Sequence, residues 1–179
     1  MLRRPGSRAA ATLLLLGLVG VGCSSATKDQ SLLQAGLIPP LRATQPVAVV
    51  AGRPDTAGRS IPIVAVDVPV DYAQSTRTAV ERLQQELARL GVPTSPNASR
   101  RIEVTLMYVD LLAQSGGTQY ACIVDFRVTL ADGTVRGLQG REKAADYEAA
   151  CDAALTNVTV ATLNDPTVQR YLTAPAAAP

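Results

Sequence analysis

Two segments with helical spacing of apolar residues, separated by alternating strand patterns, predict an α+β fold. The expected architecture is an antiparallel or mixed sheet of about five strands with two helices packed on one face. Three observations carry this reading. Val80, Leu83, Leu87 and Leu90 recur at spacings of three and four. Apolar and polar residues alternate from Gln119 to Ala131. Asp132-Gly133 then supplies a strong short-range hairpin signal. The 179 residues fit one domain with a core of its own.

In chain order, Val47 to Val50 reads as a short strand, Gly52 to Ser60 as a loop, and Ile61 to Val68 as a second strand ending near Pro69. The first helix runs from Gln74 to Leu90. A capping box at Thr78-Ala79-Val80-Glu81 or an earlier cap at Ser75 starts it, and Gly91 ends it. Glu86 and Arg89 lie three apart on its exposed side. The proline-bearing stretch from Val92 to Ser99 is a loop. In the next strand Ile102, Val104, Leu106, Tyr108 and Leu112 share one face, which Asp110 interrupts. In the one after it Tyr120, Cys122, Val124, Phe126, Val128 and Leu130 point one way. With turns at Gly116-Gly117 and Asp132-Gly133, strands near 101–112, 118–131 and 134–142 form an antiparallel meander. The last helix spans about Ala144 to Leu163, with Tyr147, Cys151, Ala154, Leu155, Val158 and Thr162 on one stripe. Asn164-Asp165-Pro166 ends it, and Thr167 to Leu172 adds one turn. The domain therefore covers 47–172, between a tether containing Pro39-Pro40 and a disordered Ala/Pro tail at 173–179.

The first 22 residues read as a secretory signal, with Arg3, Arg4 and Arg8 ahead of the apolar run from Ala9 to Val21. That run is shorter than the ~20 residues a spanning helix needs. Gly20-Val21-Gly22-Cys23 resembles the lipobox of bacterial lipoproteins, departing from it at Gly20, where leucine is usual. The resemblance implies cleavage before Cys23, lipid attachment to its thiol, and a tether over residues 23–46. Ser24 resembles residues that permit sorting to an outer membrane, so the expected location is the envelope, facing the periplasm. Loss of the signal leaves 14 of the 17 basic residues against 15 acidic ones, and the formal charge moves from +2 to −1. The positive charge belongs to the leader, and no basic patch argues for a nucleic-acid partner.

Lipidation of Cys23 and export to an oxidising compartment leave Cys122 and Cys151 as a pair. One lies on the apolar face of a strand and the other on the apolar stripe of the last helix, so packing brings them together and a structural disulfide is expected. Neither belongs to a Cys-X-X-Cys motif.

The chain has no histidine and no tryptophan, and its two lysines are Lys28 and Lys143. That excludes histidine-dependent hydrolysis, His-ligated metals and aromatic stacking platforms. No glycine spacing suits a phosphate, no loop has the alternating ligands of a calcium site, and no cofactor is expected. Acid–base chemistry by a carboxylate pair is the remaining enzymatic possibility. Its candidates are Asp67 with Asp71, and the group Glu142, Asp146, Glu148 and Asp152. Helix capping and dipole compensation account for both sets without catalysis.

Val47-Ala-Val-Val-Ala-Gly-Arg53, Leu83-Gln-Gln-Glu-Leu-Ala-Arg-Leu-Gly91, the strand from Ile102 to Leu112 and Leu163-Asn-Asp-Pro-Thr-Val-Gln-Arg-Tyr-Leu172 together resemble the plan of YajG-like small envelope lipoproteins. The cysteine pair and the Ala/Pro tail depart from that plan. Similar α+β lipoproteins serve as accessory subunits of envelope machines. The preferred reading is a membrane-tethered, non-catalytic interaction module that binds another envelope protein, lipid or glycan. Its expected docking feature is an exposed sheet edge or groove around Val47 to Val50. The alternative is a periplasmic hydrolase in which Asp67 or Asp71 converges with a second acid.

Overall fold

In a computed structural model of the chain the described residues are 36–43, 45–63, 66–114 and 118–175. The signal, Cys23, Ser24, Gly116-Gly117 and the last four residues of the tail lie outside them. In chain order the elements are β1 (Val47–Ala51), β2 (Gly58–Ile63), β3 (Val66–Asp71), α1 (Tyr72–Arg89), β4 (Arg100–Gln114), β5 (Gln119–Leu130), β6 (Val135–Ala144), α2 (Tyr147–Asn164) and α3 (Pro166–Thr173). Among the described residues no helix is long and apolar enough to cross a membrane.

The fold is α+β. A four-stranded sheet has the order β1-β4-β5-β6, with β1 parallel to β4 and the remaining pairs antiparallel. The meander is therefore present, and its β5–β6 turn is closed by bonds from Gly133 N–H to Leu130 O and from Leu130 N–H to Thr134 O, both 2.9 Å. A separate two-stranded sheet, β2-β3, replaces the single strand expected from Ile61 to Val68. Residues 64 and 65 are Val and Ala, so no turn residue marks the reversal that sets Ile63 opposite Val66. The expected loop from Gly52 is correspondingly shorter, because β2 begins at Gly58.

The face assignment of β4 holds only to Leu106. The register against β5 shifts between Leu106 and Tyr108, the mark of a β-bulge. Because side-chain direction alternates residue by residue, one extra residue exchanges the two faces. Tyr108 and Leu112 are consequently 39% and 41% exposed, while Val109 and Leu111 turn into the core. Asp110 then shares the outer side with Tyr108 and Leu112 and interrupts nothing.

Helix α1 starts earlier than Ser75 or Thr78, because the Asp71 carboxylate accepts the Gln74 N–H at 2.8 Å. Thr78 lies inside the helix and donates its hydroxyl to Gln74 O. At the other end Gly91 has φ +74°, the left-handed conformation that stops a helix at little cost only for glycine. Glu86 is 4% exposed, contrary to the expected solvent-facing position. It falls three residues after Leu83 and seven after Ala79, on the stripe that α1 buries. Its Oε1 accepts from Arg89 at 2.6 Å, and its Oε2 has no hydrogen-bond partner.

Strand β6 extends to Ala144, so α2 begins at Tyr147, where the Asp146 carboxylate accepts the Ala149 N–H at 2.7 Å. The turn expected after Pro166 is an eight-residue helix, α3, capped by Asp165. The helices cover one side of the sheet, and Leu83, Leu87, Ile102, Leu106, Phe126 and Val158 belong to the shared core. A Cβ on Gly140 would lie 2.0 Å from Ala154 O, so α2 approaches β6 at a distance only glycine permits. Arg82 of α1 bonds Asp152 O at 2.8 Å and Thr156 Oγ1 at 2.7 Å and pairs with the Asp152 carboxylate, tying α1 to α2.

The edge expected to be exposed around Val47 to Val50 is closed. Val47, Ala48 and Val49 are all at most 5% exposed. Val47 N–H donates to Pro93 O at 2.9 Å, Ser95 N–H donates to Val47 O at 3.0 Å, and the Gln84 amide donates to Val49 O at 2.9 Å.

Candidate functional site

Residues of β3, the start of α1, β4, β5 and α2 line an open apolar cleft of about 220 Å³. Its floor is the part of β4 beyond the bulge, with Val109 and Leu111, and Val124 of β5. Val109 and Leu111 face inward only because the bulge exchanged the faces, so a one-residue irregularity makes the floor apolar. One wall is β3, through Val68 and Val70, which runs directly into the first turn of α1. The opposite wall is α2, through Leu155 and Tyr147. The Tyr147 ring stands edge-on to Tyr120, with centroids 6.2 Å apart, which holds that wall in place.

Among the described residues the charged, amide and aliphatic hydroxyl side chains of the lining are Asp71, Gln74, Ser75 and Glu148, and all but Ser75 are exposed. Asp71 and Glu148 are exposed, and neither takes part in an ion pair among the described residues. Glu148 accepts only from the Tyr147 hydroxyl at 3.4 Å. Cys151 also lines the cleft and is bonded to Cys122, with Cα atoms 5.0 Å apart. The disulfide thus fixes α2 to the sheet beside the site.

The carboxylates singled out in the sequence do not all converge on one site. Asp67 and Asp71 are both exposed and stand four residues apart on one strand, ~13 Å at the usual rise per residue. Asp71 and Asp146 cap helices, and Asp152 pairs with Arg82. The Glu142 carboxyl is held below the usual carboxylate range by the Lys143 N–H and the Asn157 amide. Among the described residues no group of three or more His, Cys, Asp or Glu could hold a metal ion.

Most of the cleft was not legible as a site. The alternation of Val66-Asp67-Val68-Pro69-Val70-Asp71 was the available signal for one wall. Nothing in Leu106-Met107-Tyr108 marks the bulge that builds the floor.

No family model matches the chain, that of the YajG-like lipoproteins included. No curated protein matches it either. Among solved structures the chain is similar to the crystal structure of protein XCC0632 from Xanthomonas campestris, described as belonging to DUF330. The two are 14% identical, the match covers 75% of this chain and 90% of that one, and the TM-score is 0.49.

Proposed function

We propose that the protein is a lipid-anchored, periplasm-facing lipoprotein of the bacterial envelope, acting there as a non-catalytic interaction or accessory module. The anchor rests on Cys23 following the apolar run and the small residues Gly20-Val21-Gly22. The observation that carries the module reading is the cleft: an apolar recess bordered by exposed charged groups is suited to binding. Of the acids that an enzymatic reading requires, Asp71 and Asp146 cap helices and Asp152 pairs with Arg82.

Two measurements test this. Cys23→Ala is expected to release the protein from membranes on fractionation, and unchanged membrane association removes the lipid anchor. A photoreactive residue at Leu155, activated in intact cells, is expected to crosslink an envelope component, and the same group at the outer-face residue Tyr108 serves as the control. Equal yields from the two positions, or none from either, count against the cleft as the interaction surface.

A further inference from the structure

The geometry points to the cleft as a binding site for a short amphiphile, an alkyl chain of about six to eight carbons with an ammonium head. This rests on the reading of the protein as a binding module and names the ligand class. Size comes first. A dry apolar cavity of ~150 Å³ takes benzene, so about 220 Å³ admits a single short chain. Val109, Leu111, Val124 and Leu155 offer that chain methyl groups and no hydrogen-bonding partner.

The edge of β3 suits a small molecule and not a peptide. An extended peptide entering beside β3 would have to pair with its free edge. The bond from Tyr72 N–H to Ala57 O fixes the phase of the β2–β3 ladder, and alternate pairs follow from it. Ser60 and Pro69 then form a pair that exchanges no hydrogen bonds, so the nitrogen of Pro69 faces the free edge and brings no N–H to it. Proline in that place blunts an edge against strand addition. A ligand without a backbone loses nothing there.

Charge at the border selects the head. Among the described residues the lining holds the two carboxylates Asp71 and Glu148 and no lysine or arginine. Arg77, one turn along α1, has its guanidinium on the Gln74 side-chain oxygen at 2.7 and 3.3 Å. The N-termini of α1 and α2 both approach the border, but each carries a capping carboxylate, Asp71 accepting the Gln74 N–H and Asp146 the Ala149 N–H, which offsets the positive end of the helix. The border therefore favours a cationic head over an anionic one.

The test is methyl NMR of the full chain in lipid nanodiscs, with labelled Leu and Val, titrated with hexylammonium, hexanol and hexanoate. Saturable shifts are expected at Val109, Leu111 and Leu155. Hexylammonium should bind at least tenfold more tightly than hexanoate, and each added methylene should strengthen binding about fourfold until the cleft is full. Asp71→Asn, which keeps the helix cap, combined with Glu148→Gln should bring hexylammonium down to the level of hexanol. Equal or tighter binding of hexanol or hexanoate overturns the ammonium head while leaving an apolar site. An unchanged preference in the double variant overturns the role of the two carboxylates. If none of the three probes shifts the cleft methyls the ligand class fails outright, and crosslinking from Leu155 still decides the module reading separately.

Discussion

Asp165 shows how much one side chain organises. Its Oδ1 accepts the N–H groups of Thr167 and Val168 at 2.8 and 3.1 Å, which starts α3, and its backbone N–H closes on Thr162 O at the end of α2. Its Oδ2 meets the Arg136 guanidinium of β6 at 2.9 Å. Burial pushes its carboxyl up, but the bonds from Val168, Arg136 and Thr167 outweigh that and hold it below the usual range. Asp165→Ala removes a cap and strands a half-exposed arginine, and should cost about 2 kcal/mol in urea unfolding. Asp165→Asn keeps the cap and should cost less than the alanine. Gly140 is the steric counterpart: Gly140→Ala drives a methyl into Ala154 O and should destabilise by about 2 kcal/mol, with loss of amide protection in α2.

At the scale of elements, α2 is the instructive case. Thr156, Val158, Thr159, Val160 and Thr162 are poor helix formers, so its helicity depends on what it packs against. Packing on β5 and β6 supplies that, and the Cys122–Cys151 bond closes a separation of 29 residues between strand and helix. By the chain-entropy account such a loop contributes about 3–4 kcal/mol. Cys122→Ala with Cys151→Ala should lower stability by about that amount, and α2 should lose amide protection before the meander does. Intact mass should rise by two hydrogen atoms on reduction, and no rise would mean the bond is not formed in the protein as made. The β2–β3 hairpin makes the opposite use of local chemistry. Pro62 and Pro69 both stand in pairs that need no N–H, so proline protects its two free edges from adding strands.

For the molecule as a whole, acid is the condition that should loosen it. Asp132, Glu142 and Asp165 all have carboxyls below their ordinary range, so the unfolded chain binds protons more readily than the folded one. Their stabilisation is full above the unfolded carboxylate range, about pH 4, and is lost as pH falls through the lower folded values. With no histidine, no side chain of ordinary pKa titrates between pH 5 and 8. Urea midpoints should thus be nearly flat from pH 6 to 8 and fall below about pH 4, and a midpoint rising on acidification would contradict the assignment. The sequence by itself determined the α+β class, the meander, the helical stripe that includes Leu83 and Leu87, and the pairing of Cys122 with Cys151, because each follows from local periodicity or from the need to cover one sheet face. Only the tertiary structure decided the β2–β3 hairpin, the burial of β1, the inward turn of Val109 and Leu111, and therefore the cleft. The physical reason is that a bulge and a turn without turn residues are set by packing between elements far apart in the chain. A shift of one residue moves every following side chain to the other face, and the cleft floor depends on that shift.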